Sequence, residues 1–308
     1  MVSNSPLRTN HAVMTQRGSN EVVLLDVGSY PATSNFVNQT FTWNGVTWAR
    51  SGSGTVDASG PLPLRADYAM TYDGYNVMMY GGRGESSTSG VLQDTWTFTS
   101  GAWTKQAPAT VPFGRFKAEA ALLSASGANK VVMFGGSNML NHLNETWQWN
   151  GSSKVWTLLT PAHSPSARVD FMLAGGPSVC VLFGGKSSNS PLQDTWSWDG
   201  TDWTQNTPTT PPSVRAEASM CYDTANSNWV MFGGCNDSGL LPAETWTLNS
   251  GRTAWTKKAP AASPSARVGA SMCYDSQLGK VLLFGGNDQA GTTFVDTWSW
   301  DGSAWVLL

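Results

Sequence analysis

The sequence predicts an all-β protein, six sheets of four antiparallel strands set around one axis as a β-propeller. Two observations carry this. A double glycine closes an apolar run five times, in MMYGG, VMFGG, VLFGG, VMFGG and LLFGG, with first glycines at 81, 135, 184, 233 and 285. Beside it runs a T-W-x-W-like pattern, opening at Phe41, Trp96, Trp147, Trp196, Trp246 and Trp298. One further tryptophan follows each time, at Trp48, Trp103, Trp156, Trp203, Trp255 and Trp305. Intervals on both rulers lie between 49 and 55 residues, so six copies fill nearly the whole 308-residue chain. A period of that length marks a unit that cannot bury its own faces and must stack on its neighbours.

Each copy divides into four strands. In the fifth, the first strand reads RAEASMCYD (Arg215 to Asp223) and the second NWVMFGG (Asn228 to Gly234). The third is ETWTL (Glu244 to Leu248), and the fourth surrounds Trp255. Asn-Gly, Asp-Gly or Ser-Gly pairs separate third from fourth in most copies, which is hairpin chemistry. The blades fall near 8–50, 64–106, 114–160, 167–206, 214–258 and 266–308 of a single propeller. The chain opens on a first strand, LRTNHAVMT, and ends on a fourth, SAWVLL. Every blade is then contiguous, and the seam between blades six and one would hold by side-chain packing alone. In blade one VVLLDVG (Val22 to Gly28) stands where the others have Phe-Gly-Gly.

An apolar run ending in Gly-Gly, a paired aromatic strand and a lone tryptophan, at a period near fifty, resemble the kelch repeat over roughly residues 8 to 308. The resemblance implies a six-bladed kelch-type β-propeller. Fifteen of the sixteen tryptophans sit at repeat positions, which makes them blade-packing residues rather than carbohydrate platforms. The exception, Trp229, starts a second strand.

Composition narrows the function. Only 13% of residues are charged and the formal net charge is −3, so the molecule has no general attraction for nucleic acid or an anionic membrane. No apolar run approaches the ~18 residues of a membrane span. The first residues, MVSNSPLRTNHAVM, lack a signal-peptide pattern, so the protein stays where it is made or has lost a leader. Cys180, Cys221, Cys235 and Cys273 have no metal-ligand spacing and read as buried free thiols. Of the three histidines, His11 lies in a first strand, while His142 and His163 lie in loops without metal-site spacing. No cofactor or metal is expected. No nucleophile elbow, phosphate loop or zinc motif is present, and galactose-oxidase-like enzymes, which also use kelch blades, need a copper set that nothing here marks.

The strand order gathers the long loops, second-to-third and blade-to-blade, on one face, where binding surfaces are built. The same face carries a repeated charge. Each first strand opens with arginine: Arg8, Arg65, Arg115, Arg168, Arg215 and Arg267. Two residues on stand Asn10, Asp67, Lys117, Asp170, Glu217 and Gly269. If the first strand is innermost, these residues circle the mouth of a central channel. Asp67, Asp170 and Glu217 would pair with their arginines; Arg8, Arg115 and Arg267 would lack an acid, unless Glu119 rescues Arg115. Arg8 and Arg267 would then form a fork for a carboxylate or phosphate.

Two readings of the arginines stand open. In one they tie down loop carbonyls through their five donors; in the other they bind a ligand. Function divides likewise between a binding or scaffold module, presenting its loop face to a protein, peptide or anionic small molecule, and an enzyme at the channel mouth. The enzyme would be isomerase-, mutarotase- or lyase-like, with arginine clamps and an acid such as Glu217 as proton shuttle. Bacterial sialate mutarotases resemble that second arrangement at the level of fold and channel-mouth Arg/Glu chemistry.

Overall fold

The computed structural model describes residues 11–18, 21–29, 36–51, 62–84, 90–124, 129–188, 190–236, 238–239, 243–288 and 290–308. Arg8 and Asn10 lie outside the described residues. Six four-stranded antiparallel sheets form six contiguous blades. Blade one runs His11–Arg17, Glu21–Ser29, Phe36–Trp43 and Trp48–Arg50. Blade three, typical of the rest, runs Glu119–Leu123, Lys130–Phe134, Thr146–Asn150 and Val155–Leu159. No helix among the described residues is long and apolar enough to cross a membrane.

Apolar second strands such as Val131 to Phe134 are buried on both faces, because each blade is covered by a neighbour on either side. The core is therefore six interblade layers, and tryptophan fills most of them. Trp149 and Trp156 pack 5.2 Å apart within blade three, and Trp156 meets Tyr80 of blade two edge-on at 5.2 Å.

One polar contact repeats at every interface. The fourth-strand tryptophan donates its indole N–H to a third-strand threonine of the preceding blade, which in five of the six cases opens that strand. The pairs are Trp103 to Thr40, Trp156 to Thr95, Trp203 to Thr146, Trp255 to Thr195 and Trp305 to Thr245, at 2.8–3.2 Å. Trp48 to Thr297, at 3.0 Å, closes the ring across the seam. Gln16 adds a second seam hydrogen bond, to Ser276. The expectation of a seam held by packing alone is corrected: its indole bond is the one every other interface has.

Candidate functional site

The first strands start later than expected. In blades two to six they begin at Ala69, Glu119, Met172, Ser219 and Ser271, four residues after the arginine in each case. The intervening residues make a tight corner, and the arginine turns inward from it. Arg65, Arg115, Arg168, Arg215 and Arg267 are at most 1% exposed and do not line the central cavity.

Each of these five corner guanidinium groups is hydrogen-bonded within its own blade. In blade four Nε of Arg168 donates to the Ser166 carbonyl at 3.0 Å. One Nη donates to the carbonyl of Gly184, the first of the Gly-Gly pair, at 2.9 Å. A bidentate pair with Asp194, 2.7 Å on each arm, completes the set. The acid immediately before the third strand plays this part throughout: Asp94 with Arg65 at 2.6 Å, Glu145 with Arg115 at 2.5 Å, Glu244 with Arg215 at 2.9 Å and Asp296 with Arg267 at 2.6 Å. The third-strand tryptophan donates to the same carboxylate, as Trp196 does to Asp194 at 2.7 Å. Burial alone would raise these carboxyls; the arginine and indole hydrogen bonds outweigh it, holding Asp94, Asp194 and Asp296 below the usual carboxylate range and Glu244, which Lys257 also reaches, down at about 2.

The double glycine belongs to the same corner. The second glycine donates its N–H to the arginine carbonyl of the following blade, as Gly82 does to Arg115 at 2.8 Å and Gly136 to Arg168 at 3.0 Å. The first glycine passes so close that a Cβ on Gly81 would stand 2.5 Å from that carbonyl oxygen, with φ already at +67°. Only glycine fits there.

Several pairings expected from the sequence are therefore corrected. Arg115 and Arg267 do not lack acids, and Glu119 does not rescue Arg115. Asp67, Asp170 and Glu217 do not hold Arg65, Arg168 and Arg215, because a residue two places along points away from the corner. The premise of an anion fork, uncompensated guanidinium groups, fails for Arg267.

Asp67, Lys117, Asp170, Glu217 and Gly269 line a central cavity of about 650 Å³. All five have left-handed backbone, φ +55° to +62°. At three of them the backbone N–H reaches the rim carbonyl of the preceding blade: Lys117 donates to the Asp67 carbonyl at 2.7 Å, Glu217 to Asp170 at 2.9 Å and Gly269 to Glu217 at 3.0 Å. The side chains form a charged chain around the mouth. Lys117 meets Asp170 at 2.7 Å, Lys186 bridges Asp170 at 3.8 Å and Glu217 at 3.3 Å, and Arg83 holds Asp67 at 2.6 Å. Burial by itself would lower the Lys186 ammonium; Glu217 and Asp170 raise it instead.

Glu119, whose part in the channel the sequence reading missed, sits one layer deeper. It lines the cavity and is partly exposed to it. Burial among protein atoms, then the nearby Asp170 charge, pushes its carboxyl up to about 8. Among the described residues it has no hydrogen-bond or ion-pair partner. The repeat itself could have exposed it, since the equivalent places hold Ala69, Met172, Ser219 and Ser271.

Elsewhere the chemistry is quiet. The four cysteines are free and buried, and burial raises their thiols. His163 lies exposed against Asp202 at 2.7 Å. No three His, Cys, Asp or Glu side chains among the described residues gather as metal ligands would.

Comparison with known proteins agrees with this architecture. No curated protein matches the chain. Among solved structures, one titled "Structure of YjhT" superposes with a TM-score of 0.73 at 13% identity, covering 99% of this chain and 98% of the other. At that identity the likeness concerns the fold alone. The family model described as the KLHDC2/KLHL20/DRC7 Kelch-repeats domain matches residues 103–263, just over half the chain. The glycine corners, the paired aromatic strands and that match agree: this chain belongs to the kelch-repeat domain family.

Proposed function

We propose that this propeller is a binding module that takes its ligand, a small molecule or the end of a peptide or protein, at the mouth of the central channel. Kelch propellers generally bind proteins or other ligands, which supports the coarse reading. One observation carries the finer one. The rim backbone is left-handed at all five described positions, and glycine meets that need without strain, as Gly269 does. Lys117 and Glu217 instead hold side chains there at a cost of up to about 1–2 kcal/mol each, and Asp67 and Asp170 at less, since aspartate tolerates that region. They aim charge into a cavity large enough for a small ligand. Strain kept where a cheaper residue would serve points to use. An anionic ligand loses the support that free arginines would have lent it.

A thermal-shift screen of a polar-metabolite and peptide library tests the reading. Hits on the native chain should weaken sharply or vanish in the Asp170→Asn/Glu217→Gly variant, in which both replacements tolerate the left-handed backbone. Hits that persist undiminished would move the site to the outer loops.

One observation favours an enzyme as the second reading. Glu119, not Glu217, is the carboxyl whose raised proton affinity suits it to exchange a proton near neutral pH. A substrate whose turnover is lost in Glu119→Gln while binding survives would establish it.

A further inference from the structure

We infer that the channel's ligand presents a cationic nitrogen, an ammonium or guanidinium group, received jointly by Glu119 and Asp170. The inference rests on the channel mouth being the binding site and names what that site selects. Its first support is charge. Among the described residues, the cavity wall carries four carboxyls, on Asp67, Glu119, Asp170 and Glu217, against the single ammonium of Lys117. The arginines that would have reversed this balance are turned into the blade corners and neutralised there. Behind the wall Arg83 and Lys186 compensate Asp67, Asp170 and Glu217. Glu119 is the group left over.

The second support is the repeat used as its own control. Four other blades fill the Glu119 position with Ala69, Met172, Ser219 and Ser271, so the architecture does not require an acid there. A carboxyl enclosed without a partner costs stability whether ionised or neutral. A ligand cation is the partner that would remove the cost, and Asp170 lies close enough to act on the same charge.

The charged groups of the channel mouth around Glu119 set how binding should respond to pH, and of these Asp170 acts on it directly. Lys117 precedes it on its own chain segment. Asp67, with Arg83, comes from blade two, Asp170 and Lys186 from blade four, and Glu217 from blade five. In the free protein the Glu119 proton is held up to about pH 8. A bound cation favours the carboxylate, so binding expels that proton and strengthens as pH rises. An alkylammonium, ordinarily titrating near ~10.4 like lysine, stays charged throughout.

Ligand-observed NMR titration of the full chain with three matched probes, n-butylammonium, n-butyrate and n-butanol, tests this at pH 6.5 and pH 9. Butylammonium should bind at least tenfold tighter than the other two at pH 9. It should bind about sevenfold weaker at pH 6.5, where Glu119 is mostly protonated and, like glutamine, leaves a roughly tenfold weaker site. Glu119→Gln should erase that pH dependence and weaken binding about tenfold at pH 9, the loss of a charged partner. Asp170→Asn should weaken binding while keeping the dependence, and it decides the matter if the first variant does not fold. Preference for butyrate would overturn the ligand class and leave the channel as the site. Butylammonium binding indifferent to both substitutions would overturn the inference alone. Absence of binding by all three would overturn both the inference and the channel as a small-ligand site.

Discussion

The arginine corner and the channel rim stand two residues apart in each blade and have opposite fates. Arg168 is fully buried, bonded to two carbonyls and a bidentate carboxylate. Asp170 lies in the channel wall on a left-handed backbone, sharing its charge between Lys117 and Lys186. One position welds the second and third strands of a blade to its entry; the other spends conformational energy to hold a side chain in a cavity. Charge density alone does not distinguish a scaffold from a site. What distinguishes them is whether the donors and acceptors are already satisfied.

The largest expected effect separates the two directly. Arg168→Ala strands Asp194 beside the Gly184 carbonyl and should cost about 3–5 kcal/mol, the range for breaking a buried pair from one side. Asp170→Asn, two residues on, breaks only contacts to part-exposed lysines and should cost under about 1 kcal/mol. Urea unfolding of the two variants measures the difference. Equal losses would mean that corner and rim are not distinct in kind.

Much of this was legible in the sequence. The period and the hairpin pairs gave the blades, and the strand order gave the rim positions. The arginine partners were misread because proximity along the chain stood in for proximity in space. Each acid is 26–30 residues from its arginine, reached through the antiparallel register of second and third strands. Its trace was present, since Asp94, Glu145, Asp194, Glu244 and Asp296 all precede a Thr-Trp pair. Glu119 was visible as the one acid at its place in the described repeats, but burial and the missing partner, which make it interesting, required coordinates.

Blade one sharpens the comparison because its corner is rewritten. The register sets Leu25 opposite Thr40 and Asp26 opposite Gln39, so Asp26 occupies the first-glycine place and Gln39 the acid place. The second strand runs on through this point to Ser29. Asp26 is 2% exposed, and its Oδ1 has no hydrogen-bond partner. Burial pushes its carboxyl up to about 8 from an ordinary 3.8. The folded state therefore binds the proton more tightly than the unfolded chain does. Stability should be greatest below pH 4 as far as this group is concerned, and should fall as pH rises through about 8. Asp26→Asn should remove that fall and gain about 2–4 kcal/mol at pH 9. Thermal melts from pH 5 to 9 would show it, and parallel curves for the two proteins would assign the compensation elsewhere.

The indole ring offers a smaller and more even test. Thr297→Val at the seam and Thr146→Val inside the ring each remove the acceptor of one buried tryptophan N–H. Each should cost about 1 kcal/mol, as one hydrogen bond does. Equal costs would mean the propeller closes without a weak joint. A much larger loss at Thr297 would restore the seam as the place where the ring opens.

The smallest effect bears most directly on function. Gly269 shares the left-handed rim backbone, at φ +62°, yet a Cβ there would find nothing within 4 Å. Gly269→Ala therefore isolates the conformational term from any clash or lost contact, and it should destabilise the chain by about 1 kcal/mol. Gly269→Asn should cost less, since asparagine tolerates the left-handed region and its side chain would enter the channel. The same term is carried, unseen in any contact, by Lys117 and Glu217, which have no special tolerance for that backbone. A measurable loss in Gly269→Ala by denaturant unfolding means those two blades retain their side chains against a cheaper alternative, as a binding rim requires. If alanine costs nothing, the rim is unstrained, and the case for a ligand in the channel then rests on the unpartnered Glu119 alone.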